Sequence, residues 1–202
     1  MKIFFSVGEP SGDIHGANLI RAFRTLRPET ECVGFGGPRM VREGLKQHFD
    51  LTSLAVMWLW EVITQLRKFF ALADQAEAYF RNEKPDAVIL IDYPGFNWHI
   101  AKRAKRCGIP VFYYSPPQVW SWKQGRVKKM SRLTDCVFSG LPFEARWLEE
   151  HGCRVEYVGH PYFDEVQNHP RQSELMDYLR SGKRADSEKS SYSGKGLDSG
   201  KG

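Results

Sequence analysis

The chain has 202 residues and a mass of 23.3 kDa, with 42% apolar residues, 26% charged residues and a mean hydropathy of -0.47. That is enough for one domain with a full core, and it excludes disordered, fibrous and membrane-spanning classes: no apolar run nears the ~18–20 residues a span requires. A net charge of +5 favours anionic partners, whether nucleic acid, phosphorylated substrates or a lipid surface.

The N-terminal segment MKIFFSVGEPSGD has too short an apolar stretch for a signal peptide. Its first strand is expected over Lys2–Val7, followed by the loop Gly8-Glu9-Pro10-Ser11-Gly12-Asp13 and a helix over Ile14–Leu26. The two glycines allow close backbone approach, and Ser11 or Asp13 can cap the helix. The loop is neither GxGxxG nor a P-loop. Glu9, at a strand's carboxyl end, reads either as an acceptor for sugar hydroxyls or as a plain loop charge. A second strand, Glu31–Phe35, runs into Gly34-Phe35-Gly36-Gly37-Pro38-Arg39-Met40. This is a tight turn with Pro in a helix's first turn, and Arg39 can pair with phosphate or carboxylate if it faces the cleft.

A long helix is expected over roughly Leu59–Arg81. Leu59, Val62, Ile63, Leu66 and Phe70 share one stripe, whereas Trp58, Trp60 and Phe69 lie outside it. The apolar surface therefore exceeds one face. With Arg67 and Lys68 adjacent, it reads as an interfacial helix or as a second core contact.

The next strand, Ala87–Ile91, ends on Asp92-Tyr93-Pro94-Gly95-Phe96-Asn97. A carboxylate ending so apolar a strand is costly unless hydrogen-bonded or functional, and a general base is the favoured reading. Burial there is expected to raise the pKa of Asp92. Asn97 reads as the cap of a helix over Asn97–Cys107. The strand Val111–Ser115 leads into Ser115-Pro116-Pro117-Gln118-Val119-Trp120-Ser121-Trp122-Lys123-Gln124, then into Arg126, Lys128, Lys129 and Arg132 on a helix over Gln124–Leu133. No acid occurs between Ser115 and Thr134, so this stripe suits phosphate or anionic lipid, or is a solvated helix face. RNA-binding sheet motifs and zinc fingers are absent from the sequence.

Strand Cys136–Ser139, helix Pro142–His151 and strand Arg154–Val158 follow, and Gly159-His160-Pro161 reads as a turn at a domain junction. Cys32, Cys107, Cys136 and Cys153 show no CxxC spacing, which argues against a zinc site or a disulfide scaffold and fits a reducing cytoplasm. Of the 22 residues Ser181–Gly202, six are Ser, five Gly and five Lys or Arg, a composition that cannot offset the entropy of ordering. The expected folded unit is therefore 1–168, with a disordered Ser/Gly/Lys-rich tail at 169–202. Short apolar strands, each followed by a helix, predict an α/β domain with a doubly wound parallel sheet. Ligands in such sheets bind beyond the strands' carboxyl ends.

Seven blocks in order, GEPSGDIHGANLIRA, VGFGGPRM, LAVMWLWEVI, KPDAVILIDYPGFN, YYSPPQVWSWKQGRVKKM, LPFEARWLEEHG and VGHPYFDEV, cover nearly all of residues 1–166. Together they resemble the lipid-A-disaccharide synthases, inverting glycosyltransferases of the two-domain GT-B class. The resemblance implies transfer of 2,3-diacylglucosamine from UDP-2,3-diacylglucosamine to the 6-hydroxyl of 2,3-diacylglucosamine 1-phosphate, without a metal or other cofactor. It implies a cytoplasmic protein, peripheral on the inner-membrane surface and binding no nucleic acid, with a homo-oligomer left open. Asp92 takes the position of the general base, and Glu9 is the second catalytic candidate. Ser11, Gly12, Asp13, Arg39, Asn97, Ser115, Gln118 and Trp120 are candidate substrate contacts. The segment Met57, Trp58, Leu59, Trp60, Val62, Ile63, Leu66, Phe69 and Phe70 corresponds to the part that engages membrane and acyl chains.

Gly95 stands where many members carry a second acid, and Trp58 and Trp60 enlarge the apolar patch. The resemblance stops just after Asp164, so only the acceptor-side half of the two-domain fold is expected, with little or no activity alone. The competing reading is a non-catalytic lipid-binding or membrane-docking module.

Overall fold

The computed structural model describes residues 1–55, 59–121, 124–163 and 166, with side chains at all of these except 54, 55 and 59–66. Met1–Asp164 forms one compact unit. Of the second, Glu165–Gly202, only Val166 is described, so the expectation for the tail lies outside the described residues.

Among the described residues seven strands pair in parallel: β1 (Lys2–Val7), β2 (Glu31–Phe35), β3 (Lys46–Phe49), β4 (Ala87–Ile91), β5 (Val111–Tyr114), β6 (Cys136–Ser139) and β7 (Val155–Tyr157). Their order is β3-β2-β1-β4-β5-β6-β7. The helices are α1 (Pro10–Leu26), α2 (Pro38–Arg42), α3 (Thr52–Ala55), α4 (Leu59–Glu83), α5 (Pro94–Arg106), α6 (Val127–Leu133, after a 3-10 turn at Gln124–Arg126) and α7 (Pro142–Glu150). The doubly wound parallel sheet is therefore present.

Strand residues alternate between two cores, as the pleat requires. Phe4, Val33, Leu90, Tyr113 and Val137 face one core, shared with Phe80 of α4, Ile100 of α5 and Met130 of α6. Ile3, Phe5, Ile89 and Ile91 face the other, with Ile20 of α1 and Met40 of α2. Burial on both faces explains why these strands read as short continuous apolar runs.

Three expectations need correction. β3 was not anticipated because Lys46-Gln47-His48-Phe49 is polar and partly exposed, as suits an edge strand with one neighbour. Helix α1 begins at Pro10 rather than Ile14, since proline is favoured at a helix's first position.

The third correction concerns α4. Phe69 packs inward on Tyr93 and Phe96 (ring centroids 6.2 and 5.7 Å apart), and Leu72, Ala73, Ala76 and Phe80 continue that stripe. Phe70 is 48% exposed and meets His99 edge-on. The buried face is thus turned by about one residue from the stripe that the sequence suggested. Met57 and Trp58 lie outside the described residues, as do the side chains of Leu59, Trp60, Val62, Ile63 and Leu66.

The strand order reverses direction between β1 and β4, whose register sets Val7 beside Ile91. The loops leaving these two strands open onto the topological switch point, the general ligand position in open α/β sheets. One carries Glu9 and the other Asp92.

Candidate functional site

The β4–α5 loop is built under strain. Asp92 and Tyr93 both adopt left-handed backbone, at φ +47° and +46°. Non-glycine residues there cost of order 1–3 kcal/mol each and persist only when surrounding structure over-determines them. Those surroundings are specific. The Asp92 carbonyl accepts from Tyr113 Oη at 2.7 Å and from Asn97 Nδ2 at 2.7 Å. Asn97 Nδ2 also reaches the carbonyls of Ser6 and Ile91, both at 3.2 Å, while Ser6 Oγ donates to Asn97 Oδ1 at 2.7 Å. The Tyr93 ring lies directly on Gly8, where a β-carbon would come within 2.2 Å of a ring atom. Gly8 is therefore glycine because an aromatic ring occupies the space of its side chain.

Charge at this rim is concentrated. Burial, with Glu9's negative charge as a second cause, pushes the Asp92 carboxyl up to about 6. The Tyr93 phenol is raised by the same two causes in the same order. Tyr113 is held well above its ordinary value by complete burial and then by Asp92. Asp92 is thus ionised at neutral pH yet more basic than a free carboxylate, the property a general base needs.

The remaining candidates divide. Glu9 is half-buried at the N-cap of α1, its side chain uncommitted to the cap, and Ser11 is half-buried in the first turn. Gly12 is buried, and a β-carbon there would sit 2.8 Å from Val7 Cγ1, so it serves close packing of helix on strand. Asp13 does not cap its own helix. Its buried carboxylate accepts from the backbone N–H groups of Gly37 (3.1 Å), Arg39 (3.0 Å) and Met40 (3.0 Å), capping α2 from the neighbouring helix α1. Asn97 likewise does not cap α5. It is fully buried within the first turns, and its amide ties β1 to β4.

Arg39 and Gln118 are exposed, and Ser115 sits just past β5 in left-handed backbone at φ +52°. The Trp120 indole N–H is committed to Glu144 Oε1 at 3.0 Å, and Glu144 Oε2 accepts from Ser139 Oγ at 2.6 Å. His160 lines an apolar cavity of about 430 Å³ with Leu19, Phe23, Tyr114 and Phe138, a cavity that none of Glu9, Asp92 and Asn97 lines. Among the described residues, no group of three or more His, Cys, Asp or Glu side chains converges as a metal-binding set.

Sequence reasoning missed Ser6, Tyr113 and Glu144. Ser6 is the one polar residue in the run Ile3–Val7 of β1, a signal that could have been read. Nothing distinguishes Tyr113 in sequence from any core aromatic.

A sequence profile described as lipid-A-disaccharide synthetase matches residues 3–184. The chain belongs to this family. Relatives named lipid-A-disaccharide synthase include those of Alkalilimnicola ehrlichii (42% identical over 84% of this chain and 44% of the relative), Trichlorobacter lovleyi (42%, over 82% and 43%) and Coxiella burnetii (39%, over 79% and 43%). The chain therefore spans less than half the length of these family members. Among solved structures it is similar to Staphylococcus aureus MnaA with UDP (TM-score 0.61, 18% identity, 89% of this chain, 50% of that one). It is also similar to the UDP-GlcNAc 2-epimerase of Neisseria meningitidis (TM-score 0.60, 14% identity, 89% and 54%). At such identities these structures speak for the fold alone.

Proposed function

We propose that residues 1–168 form the acceptor-side domain of a lipid-A-disaccharide synthase. The observation that carries this reading is the desolvated Asp92 beside Glu9 at the β1–β4 switch point of a chain in that family. The 6-hydroxyl of 2,3-diacylglucosamine 1-phosphate gives its proton to Asp92 as its oxygen attacks the anomeric carbon of UDP-2,3-diacylglucosamine. The bond to the diphosphate breaks on the opposite face, and UDP leaves with the electron pair. Glu9 keeps Asp92 basic and accepts from a sugar hydroxyl. Nucleotide binding falls to the other domain of the two-domain fold. The test is a fusion of residues 1–164 to the C-terminal half of the Alkalilimnicola ehrlichii relative, assayed for UDP release with both lipid sugars. Turnover above that of the C-terminal half alone is expected; a folded chimera without it rejects the reading.

The same reading implies a domain on the cytoplasmic face of the inner membrane, and exposed Phe70 beside exposed Arg67 and Lys68 supports contact with an anionic lipid surface. Phe70→Ser is expected to weaken sedimentation with anionic phospholipid vesicles and leave Tm unchanged. Phe69→Ser, which empties a partly buried aromatic site, should lower Tm instead, at a cost in stability below the ~3–5 kcal/mol of truncating a fully buried Phe. The reverse pattern would assign Phe70 to the core and remove this contact.

A further inference from the structure

The restraints on the Asp92–Tyr93 turn differ in origin. Asn97 lies five residues on from Asp92 in the same loop and helix. Tyr113 reaches the turn from another strand. In the β4–β5 register Tyr113 stands beside Leu90, two residues before Asp92. The phenol therefore runs about 6.6 Å along the sheet to meet that carbonyl. The ring is fully buried and packs near Trp98 at 5.5 Å between centroids, a place a phenylalanine would fill equally well. Only the hydroxyl distinguishes tyrosine here, and its partners are the Asp92 carbonyl of the turn and the Asn97 side chain, which itself bonds that carbonyl from the first turns of α5.

We propose that Tyr113 is a positioning residue: its phenol clamps the Asp92 carbonyl and thereby holds the Asp92 carboxylate beside Glu9 at the switch point. The catalytic meaning of this rests on the acceptor-domain reading above, but the clamp is a property of this chain alone. Without the hydroxyl, the strained turn relaxes towards ordinary backbone and water reaches the carboxylate. The pKa of Asp92 then moves towards that of a free aspartate, because desolvation is the larger cause of its elevation.

The experiment is an NMR titration of the Asp92 side-chain carboxyl carbon in the full 202-residue chain, with Asp92→Asn identifying the resonance. Tyr113→Phe is expected to lower the titration midpoint by about one pH unit or more. Replacing Tyr113 with 3-fluorotyrosine, which keeps both shape and donor, should leave the midpoint in place. A Tyr113→Phe chain that unfolds, or that folds with a lower Tm and an unmoved midpoint, shows a structural role and overturns the proposal. So does a fluorotyrosine chain whose midpoint falls as far as that of phenylalanine. An inactive chimera combined with a Tyr113-dependent midpoint would reject the transferase reading and leave the clamp standing.

Discussion

In a chimera carrying an intact C-terminal half, Asp92→Asn is expected to reduce turnover by roughly 10²–10⁴-fold, the usual contribution of a positioned general base. The substitution isolates basicity well. Asparagine is nearly isosteric and is among the few side chains that tolerate left-handed backbone, which position 92 requires at φ +47°. The restraints from Tyr113 and Asn97 act on the backbone carbonyl of residue 92, so they survive the change. The loss should therefore fall on kcat, with KM little altered, because the interaction removed operates only as the hydroxyl proton moves. The parent chimera should lose activity below about pH 6 as Asp92 becomes protonated. The Asn variant's residual activity should lack that limb. A loss below about tenfold would be too small for general-base catalysis and would transfer the role to Glu9.

The fold was legible in the sequence where burial is two-sided. β1, β2, β4 and β6 were each bounded correctly because covered strands leave continuous apolar runs. The polar edge strand β3 left no such run. Asp92 was legible because an acid ending an apolar strand is conspicuous. The roles of Asp13 and Asn97 were not, since both groups serve partners distant in sequence: Asp13 caps a helix about 25 residues on, and Asn97 bonds Ser6, 91 residues away. Phe69 and Phe70 show the limit of periodicity. A helix wide in apolar residues has no unique stripe, and the Tyr93 and Phe96 rings decide which of the two turns inward.

The same Asp92→Asn substitution should stabilise the fold at neutral pH while it disables the chemistry. The native carboxyl holds its proton up to about pH 6, whereas an unperturbed aspartate releases it near 3.8. Between those values the native state binds more protons than the unfolded state, so stability falls as pH rises from about 4 to about 6. Below pH 4 both states are protonated and the penalty vanishes. Above pH 6 the penalty is complete, and a shift of about two units corresponds to about 3 kcal/mol. Asparagine carries no charge at any pH, so its advantage should be near zero at pH 3.5 and approach that figure at pH 7. For a folded unit of this size that is an increase in Tm of about 6–12 °C. Glu9→Gln should recover only the smaller part, because Glu9 is the lesser cause of the shift. Paired thermal melts of parent and variant at pH 3.5 and pH 7 measure the difference directly. A Tm gain equal at both pH values would mean that charge burial at position 92 is not the cause. A gain confined to neutral pH would show that the fold keeps an ionised carboxylate in a desolvated, strained turn against its own stability, a cost that basicity at the switch point accounts for and packing does not.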